Sequence, residues 1–133
     1  MQDRPDSTIL LEAIQDFLMK DIMPFVKESD ILSYKTLVSW NMLGVIIREI
    51  KTGEVKINEE INRLSKVLEV QTDNLSSMTY IEKKELCRDL NLKFSNKVKL
   101  EKLGFQDKDA WNLAKKCLEE KIEISNPRFQ KGE

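Results

Sequence analysis

The chain has 133 residues, 41% of them hydrophobic and 34% charged, with 22 basic against 23 acidic side chains and no histidine. That size and balance suit one domain with a real core, exclude a disordered chain and leave no basic excess for nucleic-acid binding driven by phosphate neutralisation. The missing histidine excludes Ser-His and Cys-His nucleophiles and the Glu-x-x-His ligand pairs of di-iron bundles. Any catalysis would fall to carboxylates, Lys, Tyr or a borrowed cofactor, and no residue pattern implies a cofactor or a metal.

Few glycines and prolines (four and three) favour long helices over strands and turns. The first helix is expected over about Ser7 to Ile22, capped by Asp6 or Ser7 and stopped by Pro24. At 100° per residue Leu10, Leu11, Ile14, Phe17, Leu18 and Ile22 form one stripe, and Asp21 falls inside it.

After a short connection, Pro24 to Ser29, Asp30 is the expected cap of a second helix and Gly53 its stop. This helix is apolar nearly all round. Tyr34, Leu37, Val38, Asn41, Val45 and Arg48 share one face, with Glu49 on its edge. Leu32, Leu43, Ile46, Ile47 and Ile50 cover the other, flanked by Trp40. Two apolar faces require two partners, so the helix is central or sits in an oligomer interface, for which Trp40 and Ile47 are the candidates.

A third helix, about Lys56 to Glu69, carries Ile57, Ile61, Leu64 and Leu68 on one side only. Residues 70–78 read as a polar surface loop. Thr79-Tyr80-Ile81-Glu82 is a capping box opening a fourth helix with the stripe Leu86, Cys87, Leu90, Phe94 and Val98. Gly104 ends the next turn, and Asp107 caps a fifth helix whose inner face is Ala110, Trp111, Ala114, Cys117, Leu118 and Ile122, with Lys121 among them. Asn126-Pro127-Arg128-Phe129 stops it and turns the tail, 126–133, with Phe129 packing back. The expectation is all-α: a single-domain up-and-down bundle of about five helices over 1–133. The pairs Lys83-Lys84 and Lys115-Lys116 have acids within a turn and read as solvated mixed faces.

Asp21, Arg48, Glu49 and Lys121 thus fall on interior positions or their edge, two acids and two bases. Charges there are costly unless paired. One reading is an ion-pair network tying the first, second and fifth helices, with Asn41 completing its hydrogen bonds. The other is a polar pocket in which Arg48 and Lys121, with Arg128 as a further candidate, receive an anionic group. An Asp21–Glu49 carboxylate pair for acid/base work is a weak signal. Cys87 and Cys117 read as reduced core thiols, with a disulfide the lesser alternative. The polar start, Met1 to Asp6, shows no signal peptide, so a cytoplasmic protein away from membranes is expected.

Arg4-Pro5, Leu10-Leu11-Glu12-Ala13-Ile14, Phe17-Leu18 and Pro24 resemble the opening of a bacterial helical domain family of unknown function. The resemblance continues through Val38, Asn41, Leu43 and Arg48-Glu49 to Gly53, then Glu85-Leu86, Lys121-Ile122 and Asn126-Pro127-Arg128-Phe129. Leu37, Cys87, Ser95 and Lys97 depart from the family pattern, which has Arg, Asn and an Arg-x-Gly pair there. Members are usually encoded beside aminoglycoside-phosphotransferase-like kinases and acyl-CoA dehydrogenases. The resemblance implies an accessory role near a kinase or an acyl-CoA pathway, with the kinase-like neighbour as candidate partner; with the two apolar faces of the second helix, the expectation is a non-catalytic interaction domain that self-associates into a homo-oligomer. An anionic-ligand module is the alternative.

Overall fold

A computed structural model describes residues 4–72, 74–104 and 106–129. They are all-α, with four helices rather than five and no strand among the described residues. The chain divides into two compact units, 1–52 and 53–133.

The first helical run, α1, covers 7–26. It is α-helical over Ser7–Phe17, π-helical over Leu18–Ile22 and α-helical again over Met23–Val26. Asp6 caps it, its side chain accepting from the amides of Thr8 and Ile9 at 2.9 and 3.0 Å. Pro24 does not stop it. Proline has no N–H for the carbonyl four residues back and its ring crowds that carbonyl. The wider π turn relieves this, with the Met23 amide reaching back five residues to Leu18.

The second helix, α2 (Asp30–Leu68), joins the segments expected as helices two and three. Gly53 fails as a stop because a glycine stop works by letting the chain turn left-handed, and no glycine among the described residues has positive φ. Glu69 takes that conformation instead (φ 55°), and the Val70 amide donates to the Ser65 carbonyl at 3.0 Å. At the other end the Ser29 hydroxyl accepts from the Leu32 amide at 3.4 Å, so the cap is Ser29 and Asp30 is already helical.

In the first unit, α1 lies against the early part of α2. Its half-buried positions include Leu11, Gln15, Leu18 and Ile22, while Leu10, Ile14 and Phe17 stay exposed. On α2 the covered positions are Thr36, Gly44 and Ile47, with Trp40 and Leu43 half-buried.

The second unit is built from 53–68 of α2, α3 (Tyr80–Leu100) and α4 (Lys108–Ser125). The connection between α2 and α3 holds a 3-10 turn, Leu75–Ser77. Thr79 and Glu82 close the expected capping box, and Asp107 caps α4. Lys102, not Gly104, takes the left-handed position after α3 (φ 51°). Ile61, Leu64, Cys87, Leu90, Leu113 and Cys117 form the core. The inner face of α4 is therefore Ala110, Leu113, Cys117 and Glu120, one step round from the expected stripe; Trp111 and Leu118 are 50% and 59% exposed. Phe129, 71% exposed, does not pack back.

Candidate functional site

The sequence-derived site residues divide between the units. Asp21, Trp40, Asn41, Ile47, Arg48 and Glu49 belong to the first, Lys121 and Arg128 to the second. Asp21 and Asn41 are exposed, which corrects their interior assignment: α1 turns Leu18 and Ile22 inward, leaving Asp21 on the solvent side. Arg48 and Glu49 are half-buried. Ile47 is 6% exposed and therefore covered by the fold itself, so it offers no interface surface; Trp40 is half-buried. Arg128 is exposed in the turn after α4, where the Phe129 amide donates to the Asn126 carbonyl.

Gly44 positions part of the first unit. An added Cβ there would lie 3.1 Å from both Gln15 Nε2 and Arg48 Nη1. The gap lets Gln15 Nε2 donate to the Trp40 carbonyl at 2.9 Å. On the outer faces Phe17, Phe25, Ile31, Tyr34 and Met42 are 52, 86, 68, 68 and 61% exposed.

In the second unit Lys121 has a partner that periodicity did not suggest. Its Nζ lies 3.0 Å from Oε1 of Glu60, whose side chain is 8% exposed. Asn91 Nδ2 donates to the same oxygen at 2.8 Å and to the Cys87 carbonyl at 2.9 Å. Burial pushes the Glu60 carboxyl up, but Asn91 and Lys121 outweigh it and hold the group below its ordinary value. Burial likewise opposes the charge on Lys121, and Glu60 outweighs it, so the ammonium titrates higher than usual. Burial first, and the Glu60 charge second, push the Cys87 thiol up to about 12. The same two causes raise the Cys117 thiol, and both cysteines are free. Burial and a raised thiol of this kind make a cysteine a poor nucleophile.

Further pairs surround this cluster. Arg63 binds Glu120, Lys56 binds Glu123, and Lys83, buried at 3% exposure, reaches Glu54 at 2.7 Å. Lys83 therefore departs from the solvated reading, whereas Lys84 lies over the Tyr80 ring at 5.0 Å, Lys115 faces Glu119 at the surface, and the exposed Lys116 reaches the buried Glu120. The missed residues carried a signal. Glu60 is three residues after Ile57 and four before Leu64, Asn91 follows Cys87 by four, and Glu120 follows Cys117 by three, so each sits on an apolar stripe.

Between α3 and α4 runs a groove of about 560 Å³, lined by Phe94, Val98, Trp111 and Leu118 and also by Asn91 and Lys121. Among the described residues, no group of three His, Cys, Asp or Glu side chains is placed to hold a metal ion, and no helix is long and apolar enough to cross a membrane.

No curated protein and no solved structure matches the chain. A family model described as a domain of unknown function (DUF6285) matches residues 27–129, most of the chain, and the protein belongs to that family.

Proposed function

We propose that the protein is an interaction module that self-associates through the helical hairpin formed by α1 and the first half of α2. The observation that carries this is that no residue of Ser7–Phe17 is buried, although the segment is strongly amphipathic. An apolar stripe is stabilising only when it leaves water. Two helices can cover one face of each other, and both helices here are apolar over wider arcs than that.

The exposed area is large. Phe17, Phe25 and Tyr34 alone present roughly 400 Å² at side-chain areas of about 150–250 Å² each. That is within the range, about 300–600 Å², of the largest apolar patch on a typical monomer, and such patches are often functional. A second hairpin of the same kind supplies the two missing faces and completes a four-helix arrangement. The charges on these faces are few and of both signs, which suits a self-complementary contact. A kinase-like partner, implied by the family resemblance, would compete for the same surface.

Light scattering coupled to gel filtration tests the reading. A dimer or higher oligomer is expected, with the double variant Ile14→Glu/Phe17→Glu shifting to monomer mass while keeping its helical circular dichroism. A concentration-independent monomer mass for the unaltered chain would overturn it.

A further inference from the structure

We propose that the groove between α3 and α4 binds a compact aromatic carboxylate. The second unit alone forms this site, so the proposal goes beyond self-association and does not depend on it.

The groove's volume, about 560 Å³, falls within the range of small-molecule pockets, about 300–1,000 Å³. Its walls include two aromatic rings, Phe94 and Trp111, and the exposed apolar side chains of Trp111 and Leu118 (50% and 59%). Flat apolar walls of this kind favour an aromatic body.

Charge sets the other end of the ligand. Among the described residues lining the groove, Lys121 is the one that carries charge. An ammonium has three donors. One of them meets Glu60 at 3.0 Å, and with the side chain 57% exposed the ammonium has donors left for a second acceptor. Glu60, 8% exposed and not itself among the lining residues, holds the ammonium by this ion pair. A cationic ligand would be repelled there, and a neutral one would leave the ammonium unused. A carboxylate gains a charge-assisted hydrogen bond. Glu60 repels that carboxylate, so it tunes the affinity downward while it holds Lys121 in place.

The probes are naphthoate and its uncharged analogue naphthamide, titrated into the full chain and followed by the indole N–H resonances of its two tryptophans. Naphthoate is expected to shift Trp111 saturably and to leave Trp40 unmoved. Naphthamide is expected to bind about tenfold more weakly, the worth of one hydrogen bond to a charged group. Lys121→Met should erase that difference. Ala114→Trp, which fills the groove from an exposed position, should block both probes. Glu60→Gln, which keeps the shape and frees the ammonium from its internal partner, should tighten naphthoate several-fold. No saturable shift, equal affinity for acid and amide, a shift at Trp40 alone, or unchanged binding to Ala114→Trp would each overturn the proposal.

Discussion

Gln15 Nε2 donates to the backbone carbonyl of Trp40 at 2.9 Å, and the next turn of that helix carries Gly44. A side chain at residue 44 would cover the carbonyl's free lone pair. The hairpin contact therefore depends on a glycine that local helix propensity disfavours. Gly44→Ala gains about 1 kcal/mol of propensity and loses about 1 kcal/mol with the displaced hydrogen bond, so the net change is expected within about 0.5 kcal/mol. Gly44→Leu must push Gln15 and Arg48 away and should destabilise by about 2 kcal/mol. Denaturant unfolding of both variants reads the contrast. Equal effects would show that the approach is not tight.

The Glu60–Lys121 pair makes stability depend on pH at both ends. The Glu60 carboxyl is held below its ordinary value of 4.5, so its contribution is present above that value and is lost as pH falls through the folded one. Lys121 is raised above 10.5, so its contribution is present below that value and is lost as pH rises through the folded one. Glu60→Gln should flatten both limbs of the melting-temperature profile. A profile of the same shape in the variant would mean that the pair is energetically silent.

The all-α class, the Asp6, Thr79 and Asp107 caps and the α3 stripe were legible because each rests on local chemistry within one turn. The division into helices was less so. Gly53 and Pro24 are stop signals by residue type, but whether a stop acts depends on backbone conformation and on a π turn that no periodicity reveals. The charged residues show the same limit. Periodicity puts Lys121 among the inner residues of α4, whereas its side chain is 57% exposed and reaches back to Glu60, on a helix expected to be one-sided. A stripe about 100° wide tells which residues face inward only to within one position, which is why α4 turned Leu113 and Glu120 inward and Trp111 outward.

Cys87 and Cys117 should resist alkylation. Both are buried, at 6% and 7% exposure, and the Cys87 thiol is raised to about 12, so little thiolate forms at neutral or mildly basic pH. Iodoacetamide at pH near 8 should leave the native chain unlabelled over a time in which the denatured chain takes up two adducts, counted by intact mass. Rapid labelling of the native protein would show that the core opens far more often than its packing implies.

Glu69 and Lys102 end α2 and α3 in the left-handed conformation, with φ of 55° and 51°. In both cases the amide of the following residue closes a six-to-one bond, Val70 to Ser65 and Leu103 to Val98, each at 3.0 Å. That geometry is the glycine-preferring helix terminus, here occupied by residues with a Cβ that crowds the next carbonyl at a cost of about 1–2 kcal/mol. Glycine's greater unfolded-state freedom returns part of that gain. Lys102→Gly and Glu69→Gly should therefore each stabilise the chain by about 0.5–1 kcal/mol, and together by roughly the sum, because the two ends share no partner. The Lys102 change also removes the charge favoured at a helix C-terminus, so it should yield the smaller gain of the two. Chemical denaturation of the single and double variants measures this. A loss of stability in Glu69→Gly, where removal of an acid from the C-terminus adds to the conformational gain, would show that the left-handed turn carries no strain to relieve.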